Sequence, residues 1–150
     1  MRIVFLDQLG VYASCVAAAY YLRQVGKEPT IAEILSLPHF ADHQDLHTGK
    51  LYYAGKNSSR DNVYTLGVGG AGKLIRVSAE NLLNILGLKQ DEIRLIDVSD
   101  CNTWGVKISW VFRVLAPQIS CAAYISAFFL KKAMPRIAKW AEIMDNEVEI

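Results

Sequence analysis

Apolar blocks with polar punctuation recur along the chain, and their lengths alternate between those of strands and those of helices. Arg2 to Leu6 holds an apolar run short enough for a buried strand, and the Asp7 to Tyr12 bend follows it. Ser14 to about Val25 then predicts a helix: Ser14 offers a cap, Ala17, Ala18 and Ala19 favour helix and allow close packing on a sheet, and Gly26 offers a stop. Thr30 and Glu33 have capping-box spacing ahead of Ile34, Leu35 and Leu37, and Pro38 keeps that helix short. Lys50 to Ala54 and Asn62 to Leu66 are β-rich and separated by Gly55, Asn57, Ser58 and Ser59, which predicts a hairpin.

Ser78 stands where a cap would precede Leu82, Leu83, Ile85 and Leu86, whose recurrence predicts an amphipathic helix ending near Gly87. Ile93 to Val98 reads as a central strand, Ser99 to Thr103 as a polar connection and Trp104 to about Ala116 as a helix. Pro117 breaks that helix. Ile119 to Ser126 follows as a further buried strand, and Phe128, Leu130, Ile137, Ala138 and Trp140 lie on a final helix whose regular part Pro135 delays. Strand-to-helix alternation with an inserted hairpin predicts an α/β fold: a three-layer sandwich with a mostly parallel central sheet and an inserted β-hairpin, in one domain over residues 1–150.

Composition narrows the class without altering that picture. At 52 % hydrophobic and 21 % charged, the 150 residues supply a core and exclude a disordered chain. Lys and Arg outnumber Asp and Glu by 7 to 6 before Arg76 and equal them at 9 to 9 from it onward, so no basic arm exists for general nucleic-acid binding. Cys15, Cys101 and Cys121 are odd in number and widely spaced, which fits reduced thiols inside a cell. Asp7 interrupts any secretory pattern, and Lys131 and Lys132 stop the apolar run from Ile119 well short of the roughly 20 residues that span a bilayer. A cytoplasmic chain with no transmembrane segment is expected.

Two loops carry the candidate chemistry. Gly67, Val68, Gly69, Gly70, Ala71, Gly72 and Lys73 follow a predicted strand with nearly the spacing of a phosphate loop, in which backbone N–H groups cradle phosphate and the lysine balances charge. Leu74 stands where that pattern expects the Ser or Thr that binds magnesium, so an ordinary nucleotide triphosphatase site is not expected. The alternative is a flexible structural turn. Gly10 to Cys15 is the second loop, at a strand end and helix start, with Ser14 as its hydroxyl. Asp7 there either orients a ligand or caps the turn, and Cys15 has no neighbouring base to activate it.

Other groupings have simpler readings. His39, His43 and His47 recur every four residues beside Asp42 and Asp45, but no tetrahedral set follows from that spacing, and no metal is assigned. Trp104, Trp110 and Arg113 offer either an aromatic binding surface or core packing. Lys131, Lys132, Arg136 and Lys139 make a basic patch opposed by Glu142, Asp145, Glu147 and Glu149.

Taken together, Leu9 to Cys15 followed by Val16, Ala17, Ala18 and Ala19, then Leu37 to Phe40, Gly49 to Gly55 and Val63 to Gly69, resemble the landmarks of an uncharacterised family of short α/β proteins, a domain of unknown function, from spore-forming and related Gram-positive bacteria. The resemblance covers nearly the whole chain. That family often has a glycine, a histidine and two hydroxyl residues in its first turn; Gly10 and Ser14 match, whereas Val11, Ala13 and Cys15 stand where glycine, histidine and serine are expected. The resemblance therefore implies a divergent, regulatory or noncatalytic member, or one half of a heteromer.

Two functions follow as expectations. The first is binding of a phosphorylated small molecule or nucleotide through Gly10, Ser14, Gly67, Gly69, Gly70, Gly72 and Lys73. The alternative is a noncatalytic regulatory or structural subunit that pairs with a homologous protein, as a homo- or hetero-oligomer. Whether the chain is an enzyme is left open, and no cofactor is assigned, because no set of nucleophile, base and orienting group stands out.

Overall fold

A computed structural model describes residues 1–42, 49–87, 92–115 and 121–148. In chain order the elements are β1 (Arg2–Asp7), α1 (Ala13–Tyr21), α2 (Ile31–Leu35), β2 (Leu51–Lys56), β3 (Asn62–Gly67), α3 (Gly72–Ile85), β4 (Ile93–Asp97), α4 (Trp104–Leu115) and α5 (Cys121–Val148), with a 3-10 turn at Ser99–Cys101 before α4. The architecture is α/β around a four-stranded mixed sheet of order β2-β3-β1-β4. β1 runs parallel to both β3 and β4, and β2 returns antiparallel to β3 as the expected hairpin. A register shift between Tyr53 and Gly55 makes Ala54 the extra residue of a bulge.

Alternation along β1 divides the interior. Ile3 and Phe5 point to one face and join Val16 of α1, Ile34 of α2, and Leu130, Met134 and Ile137 of α5 in the main core. Each such side chain, buried completely, contributes about 1.5–3 kcal/mol relative to exposure. Val4 and Leu6 point to the other face, where they meet Val68, with Tyr64, Leu66, Leu95 and Ile75 of α3 partly buried beside them. Among the described residues this second face is the poorer in cover.

The strand expected from Ile119 to Ser126 is corrected over its described part: residues 119 and 120 lie outside the described residues, and from Cys121 onward the chain is helix, belonging to α5. Ala122, Ser126, Ala127, Leu130, Ala133, Met134, Ile137 and Ala138 are buried, a spacing of three and four residues that only a helix presents on one side. The Ser126 hydroxyl donates back to the Ala122 carbonyl at 3.0 Å. Pro135 is inside α5 and does not delay it.

Helix ends also move. α1 stops at Tyr21 and not near Val25, because Arg23 takes a left-handed conformation at φ +57°. Gln24 N–H then reaches the Ala19 carbonyl and Arg23 N–H the Tyr20 carbonyl, both at 2.9 Å, a Schellman closure without glycine. α3 starts at Gly72, six residues ahead of Ser78, which is mid-helix and not a cap. Ser14 is likewise inside the first turn of α1, whose N-cap residue is Tyr12. The Thr30–Glu33 capping box is present, and the Thr30 backbone N–H and then its hydroxyl hold the Glu33 carboxyl below its ordinary range.

Candidate functional site

In an open α/β sheet, ligands enter where neighbouring strands send their following helices to opposite faces. Here those strands are β1, followed by α1 on the Phe5 face, and β3, followed by α3 on the Leu6 face. Both predicted loops leave this one edge, so the two halves of the candidate site do come together.

Their contact is backbone on backbone. Gly10 has φ +78°, and a methyl group there would stand 2.5 Å from the Gly67 nitrogen. A methyl on Gly67 would stand 2.7 Å from the Leu9 carbonyl carbon and oxygen. Val68 N–H donates to the Asp7 carbonyl at 2.8 Å and Gly69 N–H to the Gln8 carbonyl at 2.9 Å. The Thr65 hydroxyl donates to the Gly10 carbonyl at 2.7 Å.

Asp7, fully buried at the end of β1, organises the first loop. Its Oδ1 accepts from Leu9 N–H at 2.9 Å and from Gly10 N–H, and its Oδ2 accepts from Ser14 N–H at 2.9 Å. Ala13 N–H donates to Asn102 Oδ1 at 3.2 Å. A phosphate cradle needs such donors directed at a ligand, whereas here the chain's own side chains take them. Of the two sequence readings of Asp7, the turn-capping one describes the geometry. The Ser14 hydroxyl is buried with no hydrogen-bond partner among the described residues, as are those of Ser99 and Thr103 near the same edge.

The second loop differs. Gly69 turns the chain at φ +62°, Gly70 has open space around it, Ala71 caps α3 without a side-chain acceptor, and Lys73 is exposed. Gly72 is buried against β4, where an added methyl would stand 2.8 Å from Asp97 Oδ2. That carboxylate, whose Oδ1 accepts Ser99 N–H at 3.0 Å, already places negative charge beside the α3 N-terminus.

Space agrees with this closure. The cavity lined by Gln8, Leu9, Tyr12, Asn102, Val106 and Lys107 measures about 10 Å³, the room of a single water. A wider cleft of about 270 Å³ lies at the amino ends of the strands, between Arg2, Arg60, Asn62 and Glu92, away from both glycine loops.

Cys15 is no nucleophile in this setting. Its thiol donates to the Pro38 carbonyl at 3.2 Å, and burial, then the nearby Asp7 charge, pushes its pKa up to about 12. Burial likewise pushes Cys101 up to about 11, while Cys121 is exposed. A thiol titration with a disulfide reagent at neutral pH is expected to show one fast group, removed by Cys121→Ser, and two that react only on unfolding. Fast reaction of Cys15 in the folded chain would contradict the burial described here.

His39 packs on the Tyr52 ring with centroids 5.2 Å apart, and His43, Asp45 and His47 lie outside the described residues. Among the described residues no group of three His, Cys, Asp or Glu is placed to hold a metal. Trp104 begins α4 with its ring exposed; the side chains of Trp110 and Arg113 lie outside the described residues. Lys131, Lys132, Arg136 and Lys139 form an exposed face of α5, with the Lys132 ammonium 4.5 Å from the Phe128 ring centroid. No described helix is long and apolar enough to cross a membrane.

The sequence offered only a weak signal for Asp97 and Asn102, since an acid at a strand end and an asparagine in a polar connection are ordinary turn residues. A family model described as Protein of unknown function (DUF3189) matches residues 2–144. No curated protein and no solved structure matches the chain.

Proposed function

The chain belongs to this family of unknown function, and on that premise we propose that it works as a noncatalytic regulatory or structural subunit that pairs with a homologous protein. The observation that carries this reading is the closure between β1 and β3, where Gly10 and Gly67 touch and Asp7 takes the N–H groups of Leu9, Gly10 and Ser14. Those donors are already taken, and the cavity beside Gln8, Leu9 and Tyr12 has room for a single water. The resemblance drawn from the sequence implies the same, through Val11, Ala13 and Cys15 in the first turn. Sedimentation of the purified chain at tens of micromolar, alone and mixed with a second member of the family, is expected to show a species of about twice the 16.7 kDa chain mass. A lone monomer in both samples would overturn it.

A second reading has one observation in its favour: the uncapped first turn of α3, with Gly70 open and Lys73 exposed. A phosphorylated small molecule would be held there by the helix N-terminus and Lys73, in competition with Asp97, and not by Gly10 or Ser14. Titration with inorganic phosphate and with a nucleotide, repeated on Lys73→Ala, tests it; binding unaltered by that change would exclude Lys73.

A further inference from the structure

The sheet's second face is half finished. Cross-strand pairing puts Leu51 beside Leu66 and Tyr53 beside Tyr64, and β3 in turn aligns Tyr64 with Val4 and Leu66 with Leu6, so these side chains share one face. α3 covers the β1 and β4 side of that face through Ile75, while Leu51 and Tyr53 on the β2 side stand open to solvent. A sheet with parallel central strands is ordinarily covered on both faces.

The helix is equally unfinished. At about 100° per residue, Leu74, Ile75, Leu82, Ile85 and Leu86 fall within one stripe of α3 about 120° wide, the width of a helix face made for a core. Of these only Ile75 is packed into the cluster with Val4, Leu6 and Val68. Leu51, Tyr53, Leu74, Leu82, Ile85 and Leu86 are 49–81 % exposed. Together they present on the order of 600 Å² of apolar side chain, at the top of the ~300–600 Å² of a typical monomer's largest patch and approaching the ~800 Å² each partner gives to a standard interface.

We propose that this face is a homodimer interface in which α3 of one copy lies on the β2–β3 half of the second copy's sheet, and reciprocally. The proposal rests on the pairing reading above and names its surface and its partner. A two-fold axis requires a self-complementary patch, and this face carries both parts: the exposed Leu51 and Tyr53 of the sheet, and a helix stripe in which Leu74, Leu82, Ile85 and Leu86 are exposed and Ile75 alone is packed. Charge permits the match, since the chain carries +1 overall and Lys73, Arg76 and Glu80 lie on the side of α3 away from the stripe, which leaves the stripe itself uncharged. Once docked, the partner's helix covers β2 and β3, and the sheet gains the helical cover on both sides expected of a three-layer sandwich.

Tyr53→Lys and Ile85→Glu test the two halves separately. Both positions are exposed, so circular dichroism and the melting midpoint of the diluted chain are expected to stay near wild type. Sedimentation equilibrium is expected to show each variant dimerising at least about 30-fold more weakly than wild type. Mixing the two is expected to restore dimers, because one of the two reciprocal contacts is then unaltered and the other sets Lys against Glu. If wild type dimerises and both variants do so equally well, this surface is wrong while the pairing reading stands. If both variants are weakened and the mixture stays monomeric, the helix-on-sheet mating is overturned. A wild-type chain that stays monomeric alone overturns this homodimer, and one that also stays monomeric when mixed with a second member of the family overturns the pairing reading beneath it.

Discussion

Gly10→Ala is expected to cost about 3 kcal/mol or more of folding stability, from a left-handed backbone that an alanine adopts at a cost and from a steric clash that has no flexible side chain to absorb it. The methyl group would be directed at the Gly67 nitrogen at 2.5 Å and at the Leu66 carbonyl carbon at 3.0 Å, both backbone atoms of β3. Relief requires β1 and β3 to separate at their carboxyl ends, which strains the Thr65 bond to Gly10 and the Val68 bond to Asp7. For a domain of this size the loss corresponds to a fall in melting midpoint of about 6–12 °C, read by calorimetry. A variant melting within 2 °C of wild type, a shift of roughly 1 kcal/mol or less, would show that the two loops do not meet as described.

Asp7→Asn is expected to cost about 2–4 kcal/mol while altering almost no volume. A carboxylate offers acceptors on both oxygens, whereas an amide must present N–H₂ either to Ser14 N–H or to the Leu9 and Gly10 N–H groups, setting donor against donor in a fully buried site. Amide hydrogen exchange separates this from general destabilisation. Exchange at Leu9, Gly10 and Ser14 is expected to accelerate well beyond that of the strand amides of β1. Unaltered exchange at those three positions, with a small stability loss, would remove Asp7 from its role as organiser of the loop.

What the sequence made legible was local. The Thr30–Glu33 capping box rests on residues three apart, and the hairpin rests on two short β-rich runs with turn residues between them; both are present. Elements whose limits depend on distant partners were harder to place. Arg23 closes α1 in a conformation usually left to glycine, so Gly26 was the misleading stop. The run from Ile119 to Ser126 is apolar apart from small polar residues, and from Cys121 onward only burial against the core selects the helical period over the strand period.

The candidate site divides along the same line. Gly10 and Gly67 stand out as glycines, but their meaning is the distance between them, 57 positions apart in the chain and in contact in the fold. The phosphate-loop spacing of residues 67–73 described a real strand-to-helix turn, yet spacing carries no information about Asp97, which reaches the same turn from β4. Exposed leucines of α3 look like core residues in any periodicity count, because a helix stripe made for a partner and one made for its own sheet have the same pattern.

The most direct test of the account is amide hydrogen exchange on the full chain at low and high protein concentration, each with and without inorganic phosphate. Protection is expected to rise with concentration in Leu51–Lys56 and in Gly72–Ile85, with no response to phosphate at residues 9–14. Phosphate-dependent protection of residues 9–14, with no dependence on concentration in β2 or α3, would contradict it and return the function to the glycine loops.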